Sequence, residues 1–266
     1  MMLLGVDVGT THCKVGLVRR GKIVRLATRS VETHRTRDGA FFYAPDALWQ
    51  SVVSAVQEVI AEIDPTDIGV VGIASMAETG LLVDRRTGEP RSHLIPWFDR
   101  RALARVERVA RVSDARERFR QTGLPISFKY GLFKLLWLCE QDEGIIRDAI
   151  WLSAADYIAY RLTGRMATDY TLAARTYAFD VPGEQWDEPW LGQWNLRAEL
   201  FPEAVPSGQP IGTIRSREAG LHRGTPVAIA GHDHLCAAIA VGAVQQEFVF
   251  NSMGTAETLM GTVGQW

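Results

Sequence analysis

Two short segments of this 266-residue chain carry residue types suited to chemistry, and they lie near its opposite ends. The first is Asp7-Val8-Gly9-Thr10-Thr11-His12-Cys13-Lys14. Glycine lets a backbone approach an anion closely, successive N–H groups in a turn form a concavity for it, and Thr10 and Thr11 add hydroxyl donors. Lys14 contributes a compact positive charge. Asp7, at the end of an apolar strand, is placed to hold Mg²⁺, which prefers oxygen ligands and keeps part of its water shell. The segment reads either as a phosphate-binding hairpin or as an ordinary hairpin in which Gly9 supplies a positive φ angle. The second segment is Gly231-His232-Asp233-His234, set between an apolar run at residues 227–230 and the small residues Ala237, Ala238 and Ala240. A carboxylate at the mouth of a strand lies where open sheets bind ligands. Asp233 reads as a general base, or as the cap of the following helix, or the flanking His232 and His234 read as a metal pair. The other histidines, His12, His34, His93 and His222, have no spacing that completes a metal set.

The surrounding pattern says what positions these segments. Strand rhythm at residues 3–8, 14–19 and 23–30, broken at Gly9-Thr10-Thr11 and Arg20-Gly21, predicts a three-stranded meander. After Pro45, Asp46 is placed to cap a helix with an apolar stripe of Leu48, Val52, Val56 and Ile60, ended by Pro65. Residues 68–74 are a β-branched run suited to a buried strand, and Arg85-Arg86-Thr87-Gly88 is a turn. Helical patterns dominate from about 99 to 200, as in Leu132, Leu135, Leu136 and Leu138, and read as a helical insertion between strand layers. Strand signals return at 213–215 and 227–230, followed by a small-residue helix at about 233–241. The class is α/β, with helices packed on a sheet. Residues 248–253 and 257–262 flank Gly254-Thr255-Ala256 and echo the opening hairpin, which points to the start of a second domain.

Composition narrows the function classes. With 29 basic and 31 acidic residues and 47% hydrophobic content, the chain is neither a disordered tail nor a coiled coil. No apolar run approaches the ~20 residues that cross a bilayer, and residues 1–8 lack the basic start of a secretion signal, so no membrane partner and a cytoplasmic location are expected. Three scattered cysteines indicate neither a zinc knuckle nor a disulfide framework. Residues 100–120 are locally basic, but Asp99, Glu107, Asp114 and Glu117 interleave with them or flank them, which reads as a solvated helix face and not a nucleic-acid surface.

Taken together, several motifs resemble the carbohydrate kinases of the FGGY type, in the superfamily that also holds actin and the heat-shock chaperone ATPases. Asp7-Val8-Gly9-Thr10-Thr11 with Lys14 resembles the family's first phosphate motif, and Asn251-Ser252-Met253-Gly254-Thr255 its second. Between them lie Trp97-Phe98-Asp99-Arg100-Arg101, similar to the Trp-x-Asp-x-Arg segment of xylulokinases, then Lys134-Leu135-Leu136-Trp137, Asp156-Tyr157 with Arg161-Leu162-Thr163-Gly164, and Thr168-Asp169. The resemblance implies a ribonuclease H-like, actin-type ATPase domain, a mixed sheet with helices on both faces and a helical insertion. It implies ATP and Mg²⁺ as cofactors and a sugar, polyol or sugar acid as the small-molecule substrate.

Carried onto this sequence, the resemblance makes Asp233 the catalytic base. Gly9, Thr10, Thr11 and Lys14, with Asp7 at the metal, hold the nucleotide phosphates from one side, and Gly254 and Thr255 from the other. Glu78 resembles the glutamate of the Arg-Glu-Thr segment of glycerol kinases, but Ala77 stands where that arginine would be, which argues against glycerol. Trp97 would form an apolar wall for the sugar, with Asp99 and His234 binding hydroxyls; the plainer readings are a core tryptophan and an Asp99–Arg101 pair. Arg175 also matches a family position and is assigned to structure. Residues 1–243 are expected to form the substrate-binding domain and 244–266 the first hairpin of an ATP-binding domain otherwise missing. The chain would then be incomplete and inactive alone, and the open edges of its last hairpin would favour a homodimer. The alternatives are a non-catalytic sugar-binding module and a metal-dependent hydrolase using His232 and His234.

Overall fold

Alternation of apolar and polar residues builds the sheet. Met2–Val8 buries Met2, Leu4, Val6 and Val8 on one face and turns Leu3, Gly5 and Asp7 to the other. The computed structural model, which describes residues 1–253 and 257–264, pairs this strand antiparallel with His12–Arg19, and that in turn with Lys22–Ser30, completing the expected meander. On its other side Met2–Val8 runs parallel to Ile68–Ser75, which runs parallel to Pro226–His232; Pro210–Thr213 closes that edge antiparallel. The result is the mixed six-stranded sheet of an α/β fold. The strand ends at Thr213, short of the expected residues 214 and 215: the Ile214 N–H still donates to the Thr225 carbonyl, but the Arg215 N–H turns away to the Leu162 carbonyl.

Register matters most for function. Val8 pairs with Ser75 and Ser75 with His232, so the three parallel strands end in one row. Segments 9–11, 76–78 and 233–234, remote in sequence, therefore leave the sheet side by side.

The helix Pro45–Ile60 buries Leu48, Val52, Val56 and Ile60, together with Trp49, Val53 and Val59, against the second and third strands. Each such fully buried Val or Leu contributes about 1.5–3 kcal/mol. Asp46 does not cap this helix. Ala44 is the cap residue and Pro45, with its preset φ, starts the first turn, while Asp46 accepts from Arg161 Nη1 at 3.1 Å. Nor does Pro65 end it: the helix stops at Ile60, and Pro65 opens a short 3₁₀ turn capped by Asp64.

Helix Ala154–Thr163, set by a Ser153/Asp156 capping box and stopped by Gly164 at φ 72°, packs on Ile68–Ser75 and Pro226–His232. Helices Leu103–Val112 and Gly131–Gln141 instead join Tyr177, Trp190, Trp194 and Phe201 in a second core, and helix Ala115–Thr122 lays Arg118 over the Tyr177 and Trp190 rings. A two-stranded ribbon, Gly80–Asp84 with Ala149–Ser153, separates the two. Leu81, Val83, Ile150 and Leu152 face the sheet core, and Leu82, Ala149 and Trp151 face the helical one. The stretch 99–200 is thus shared between both cores.

The final hairpin, Val249–Met253 with Glu257–Gly261, forms as its echo of the first suggests. Gly254 and Thr255, the candidate second phosphate corner, lie outside the described residues. The three cysteines are free, and no described helix is long and apolar enough to cross a membrane.

Candidate active site

The row of strand ends opens into a cleft of about 750 Å³. Asp7, Gly9, Thr10, Thr11 and Lys14 line it from the first hairpin, Glu78 and Trp97 from the segments beyond Ile68–Ser75, and His232, Asp233 and His234 from the far strand. Ser252, Thr258 and Met260 of the last hairpin close another side. A larger hollow of about 830 Å³, among the acidic and aromatic residues around Trp186, contains none of the residues singled out by sequence.

In the first hairpin, Gly9 does not have a positive φ; its backbone N–H donates to the His12 carbonyl at 3.0 Å, and a Cβ would lie 3.1 Å from that oxygen. Close approach, not backbone handedness, is what favours glycine here. Asp7 Oδ1 is buried without a hydrogen-bond partner. Burial raises the Asp7 pKa, and the charges of Lys14 and His234 oppose the rise. A buried carboxylate oxygen facing a cleft without a donor suits a cation, and the residues therefore fit Mg²⁺.

Asp233 follows a built irregularity. At Gly231, φ is 122° and the strand pairing shifts register, and a Cβ there would lie 2.5 Å from Thr171 Oγ1. The space belongs to a support: the His232 N–H donates to Thr171 Oγ1 at 2.9 Å, and Thr171 Oγ1 donates to Asp169 Oδ2 at 2.7 Å. Asp169 in turn caps the short helix Tyr170–Ala174. Asp233 is the first residue of helix Asp233–Ala240, whose cap residue is His232, and no side chain caps it; the capping role for Asp233 falls away. Its Oδ1 accepts the His234 N–H at 2.8 Å and lies 3.2 Å from His232 Nε2. Burial pushes the carboxyl up to about 6; His234 and that N–H pull against it, while the charges of Asp7 and Glu78 add to it. His232 is driven down to about 3, chiefly by burial and then by Arg175 and His234, so its ring is neutral near pH 7. Donor atoms of His232, Asp233 and His234 lie within 4.8 Å of one another, a spacing that also suits a metal ion.

On the cleft wall beyond Ile68–Ser75, Glu78 adopts φ 59°, a left-handed backbone that is uncommon outside glycine. Its Oε1 accepts from Arg175 Nε at 2.8 Å and from Arg175 Nη2. Arg175 therefore lies on the cleft wall, over the Tyr130 ring, and orients Glu78; a purely scaffold role understates it. Trp97 lines the cleft too, its indole N–H donating to Thr10 Oγ1 at 3.0 Å and Lys129 Nζ lying 5.2 Å from its ring centre. Asp99 does not line the cleft. It is 1% exposed and accepts from the Phe41 N–H at 2.6 Å, the Arg101 N–H at 2.9 Å and Arg101 Nε at 2.7 Å. Burial alone raises its pKa, but these donors outweigh it and hold the carboxyl below the usual range. No free oxygen is left to meet a sugar: Asp99 is a strut for the Trp97–Phe98 turn. Lys129 carries no local signal; Lys134 stands in the Lys134-Leu135-Leu136-Trp137 motif and Thr171 beside Thr168-Asp169, but their contacts to Glu78, Ile95 and His232 lie far away in sequence.

Residues 2–240 match the N-terminal domain of the FGGY family of carbohydrate kinases. A glycerol kinase of Alteromonas mediterranea is 28% identical over 267 residues, covering 95% of this chain and 53% of the relative. A glycerol kinase of Methylorubrum extorquens is 32% identical over 233 residues (82% and 46%), and an L-fuculokinase of Escherichia coli K12 is 29% identical over 266 (97% and 56%). In fold, the chain superposes with a TM-score of 0.90 on a Plasmodium falciparum glycerol kinase solved with ADP, and of 0.89 on a ligand-bound xylulose kinase from Lactobacillus acidophilus. Each pair is 24% identical, covering 97% of this chain and 53% of the other. The chain spans about half the length of the curated relatives it matches. With the family's N-terminal domain matched from the first strand to the helix after Asp233, this chain belongs to the FGGY family of carbohydrate kinases.

Proposed function

We propose that this chain is the substrate-binding half of an ATP-dependent kinase acting on a hydroxyl of a sugar, polyol or sugar acid, with Asp233 as general base. One observation carries the reading: Asp7 and Asp233, from opposite ends of the chain, open onto the same cleft. Phosphoryl transfer asks a protein mainly for positioning, charge neutralisation and a proton acceptor. Glu78, held by Arg175, accepts hydrogen bonds from substrate hydroxyls while the Trp97 face covers the carbon skeleton. Asp233, ionised, takes the proton of the attacking hydroxyl as its oxygen bonds to the γ-phosphorus and the bond to the bridging oxygen of ADP breaks. The Gly9–Thr11 backbone and Lys14 receive the phosphates, and Asp7 holds Mg²⁺, which when bound neutralises phosphate charge.

The reading is tested in two steps. The 266-residue chain is titrated calorimetrically with glycerol, L-fuculose, xylulose and gluconate, and at least one is expected to bind, glycerol most weakly because of Ala77. The full-length protein containing these residues is then assayed for ADP release with the best binder. Binding without turnover would leave a sugar-binding module in place of a kinase. The donor spacing of His232, Asp233 and His234 favours a second reading, a metal-dependent hydrolase, and stoichiometric zinc in elemental analysis would select it.

A further inference from the structure

We infer that Lys134 is a positioning residue for the substrate wall, one buried amino group that ties the Glu78 corner to the segment leading into Trp97. The inference rests on the substrate roles proposed above for Glu78 and Trp97.

Lys134 lies in helix Gly131–Gln141 and is 0% exposed. Its Nζ donates to the backbone carbonyl of Glu78 and, at 3.2 Å, to that of Ile95. Both acceptors belong to segments the chemistry needs. Glu78 is held at φ 59°, a conformation that a non-glycine residue keeps only where its surroundings impose it. Ile95 pairs with Gly80 and stands two residues before Trp97, whose own N–H donates to Thr79 Oγ1 at 3.1 Å. The carboxylate of Glu78 is aimed by Arg175 and its backbone carbonyl is held by Lys134.

A scaffold role alone does not account for this residue. An ammonium taken out of water costs more than an apolar side chain of the same length, so a helix that needed only volume here would be served by methionine or leucine. Burial drives the Lys134 pKa down to about 7, against the pull of the Glu78 and Asp99 carboxylates and with the added repulsion of Arg101. What the lysine supplies in return is donors, placed where two carbonyls of the cleft wall converge.

The test uses Lys134→Met in the 266-residue chain, probed with whichever of glycerol, L-fuculose, xylulose and gluconate binds the parent most tightly. We expect affinity to fall about tenfold or more in Lys134→Met, with little further loss when Glu78→Gln is added, because both changes remove one interaction. Independently of any ligand, hydrogen exchange should quicken at the Gly80, Ile95 and Trp97 amides while the His12–Arg19 strand stays protected. Parent-like affinity and exchange, or losses that multiply in the double variant, would overturn the inference. Should no sugar bind the parent, the proposed function fails, and the exchange measurement alone decides the role of Lys134. If Lys134→Met does not fold, Lys134→Gln, which keeps an N–H donor, is measured in the same way and is expected to fall between parent and Glu78→Gln.

Discussion

Asp233 allows the chemistry and the stability of this fold to be set against each other. Its pKa is raised from 3.8 to about 6, first by burial and then by Asp7 and Glu78, with His234 opposing. In the role of base proposed for it, it works only when ionised. About 90% of molecules are then competent at pH 7 and about 10% at pH 5, so kcat/KM of the proposed kinase should fall about tenfold per unit below pH 6. Stability runs the other way. The unfolded chain releases this proton near pH 4 and the folded chain near pH 6, so the stability contributed by protonated Asp233 is present below about pH 4 and lost as pH rises to 6. The loss is about 3 kcal/mol, at about 1.4 kcal/mol per unit. Asp233→Asn should therefore make the 266-residue chain more stable at pH 7 in urea unfolding while cutting turnover of the full-length protein by roughly 10²- to 10⁴-fold and erasing the acid limb. A carboxyl NMR titration of the chain reads the same pKa directly, and His234→Ala should raise it. A midpoint near 4, or an Asn variant that is less stable yet active, would refute the argument.

Two further outcomes follow from particular contacts. The motif alone puts Thr10 wholly on the nucleotide side, so that Thr10→Val would spare sugar binding; because Thr10 Oγ1 also accepts the Trp97 indole N–H, the valine variant should weaken both ligands, and Thr10→Ser should restore both, as calorimetry with Mg·ATP and a sugar will read. Asp156 is 2% exposed and raised to about 7, mainly by burial, so protonated Asp156 stabilises the fold below pH 4 and that contribution, up to about 4 kcal/mol, is lost by pH 7; Asp156→Asn should gain most over the parent at pH 8 and least at pH 5 in thermal unfolding.

What sequence reasoning recovers and what it misses divide along the range of the interactions involved. The meander, the Pro45 helix and the two cleft motifs depend on alternation, fourfold spacing and turn residues within a few positions, and all can be read locally. Errors near that scale concern which neighbour wins: Pro45 preempts Asp46 at the helix start, and Gly9 answers to a carbonyl three residues on instead of to its own φ. Side-chain roles fail differently. Trp-x-Asp-x-Arg has the look of a binding motif, yet Asp99 is used up by Arg101 and by Phe41, 58 residues earlier. Arg175 has the look of scaffold, yet it meets Glu78 across 97 residues of chain.

The same division explains why the cleft exists at all. Neither Asp7 nor Asp233 carries a local sign of the other; they meet because Met2–Val8, Ile68–Ser75 and Pro226–His232 are parallel and in register at Val8, Ser75 and His232. A one-residue slip of the last pairing would carry every side chain of that strand to the opposite face. The irregularity at Gly231 makes a shift of that size and confines it to the strand's end: Ile229 pairs with Ile73, but Gly231 pairs with Ala74 and His232 with Ser75. It absorbs the register shift one residue before the strand ends, and Thr171, filling the space a side chain would have taken, grips the His232 N–H. The orientation of Asp233 is therefore a property of a bulge and of a threonine 61 residues before His232, and Gly231→Ala should cost the proposed activity through misplacement of Asp233 even though that side chain is not itself changed.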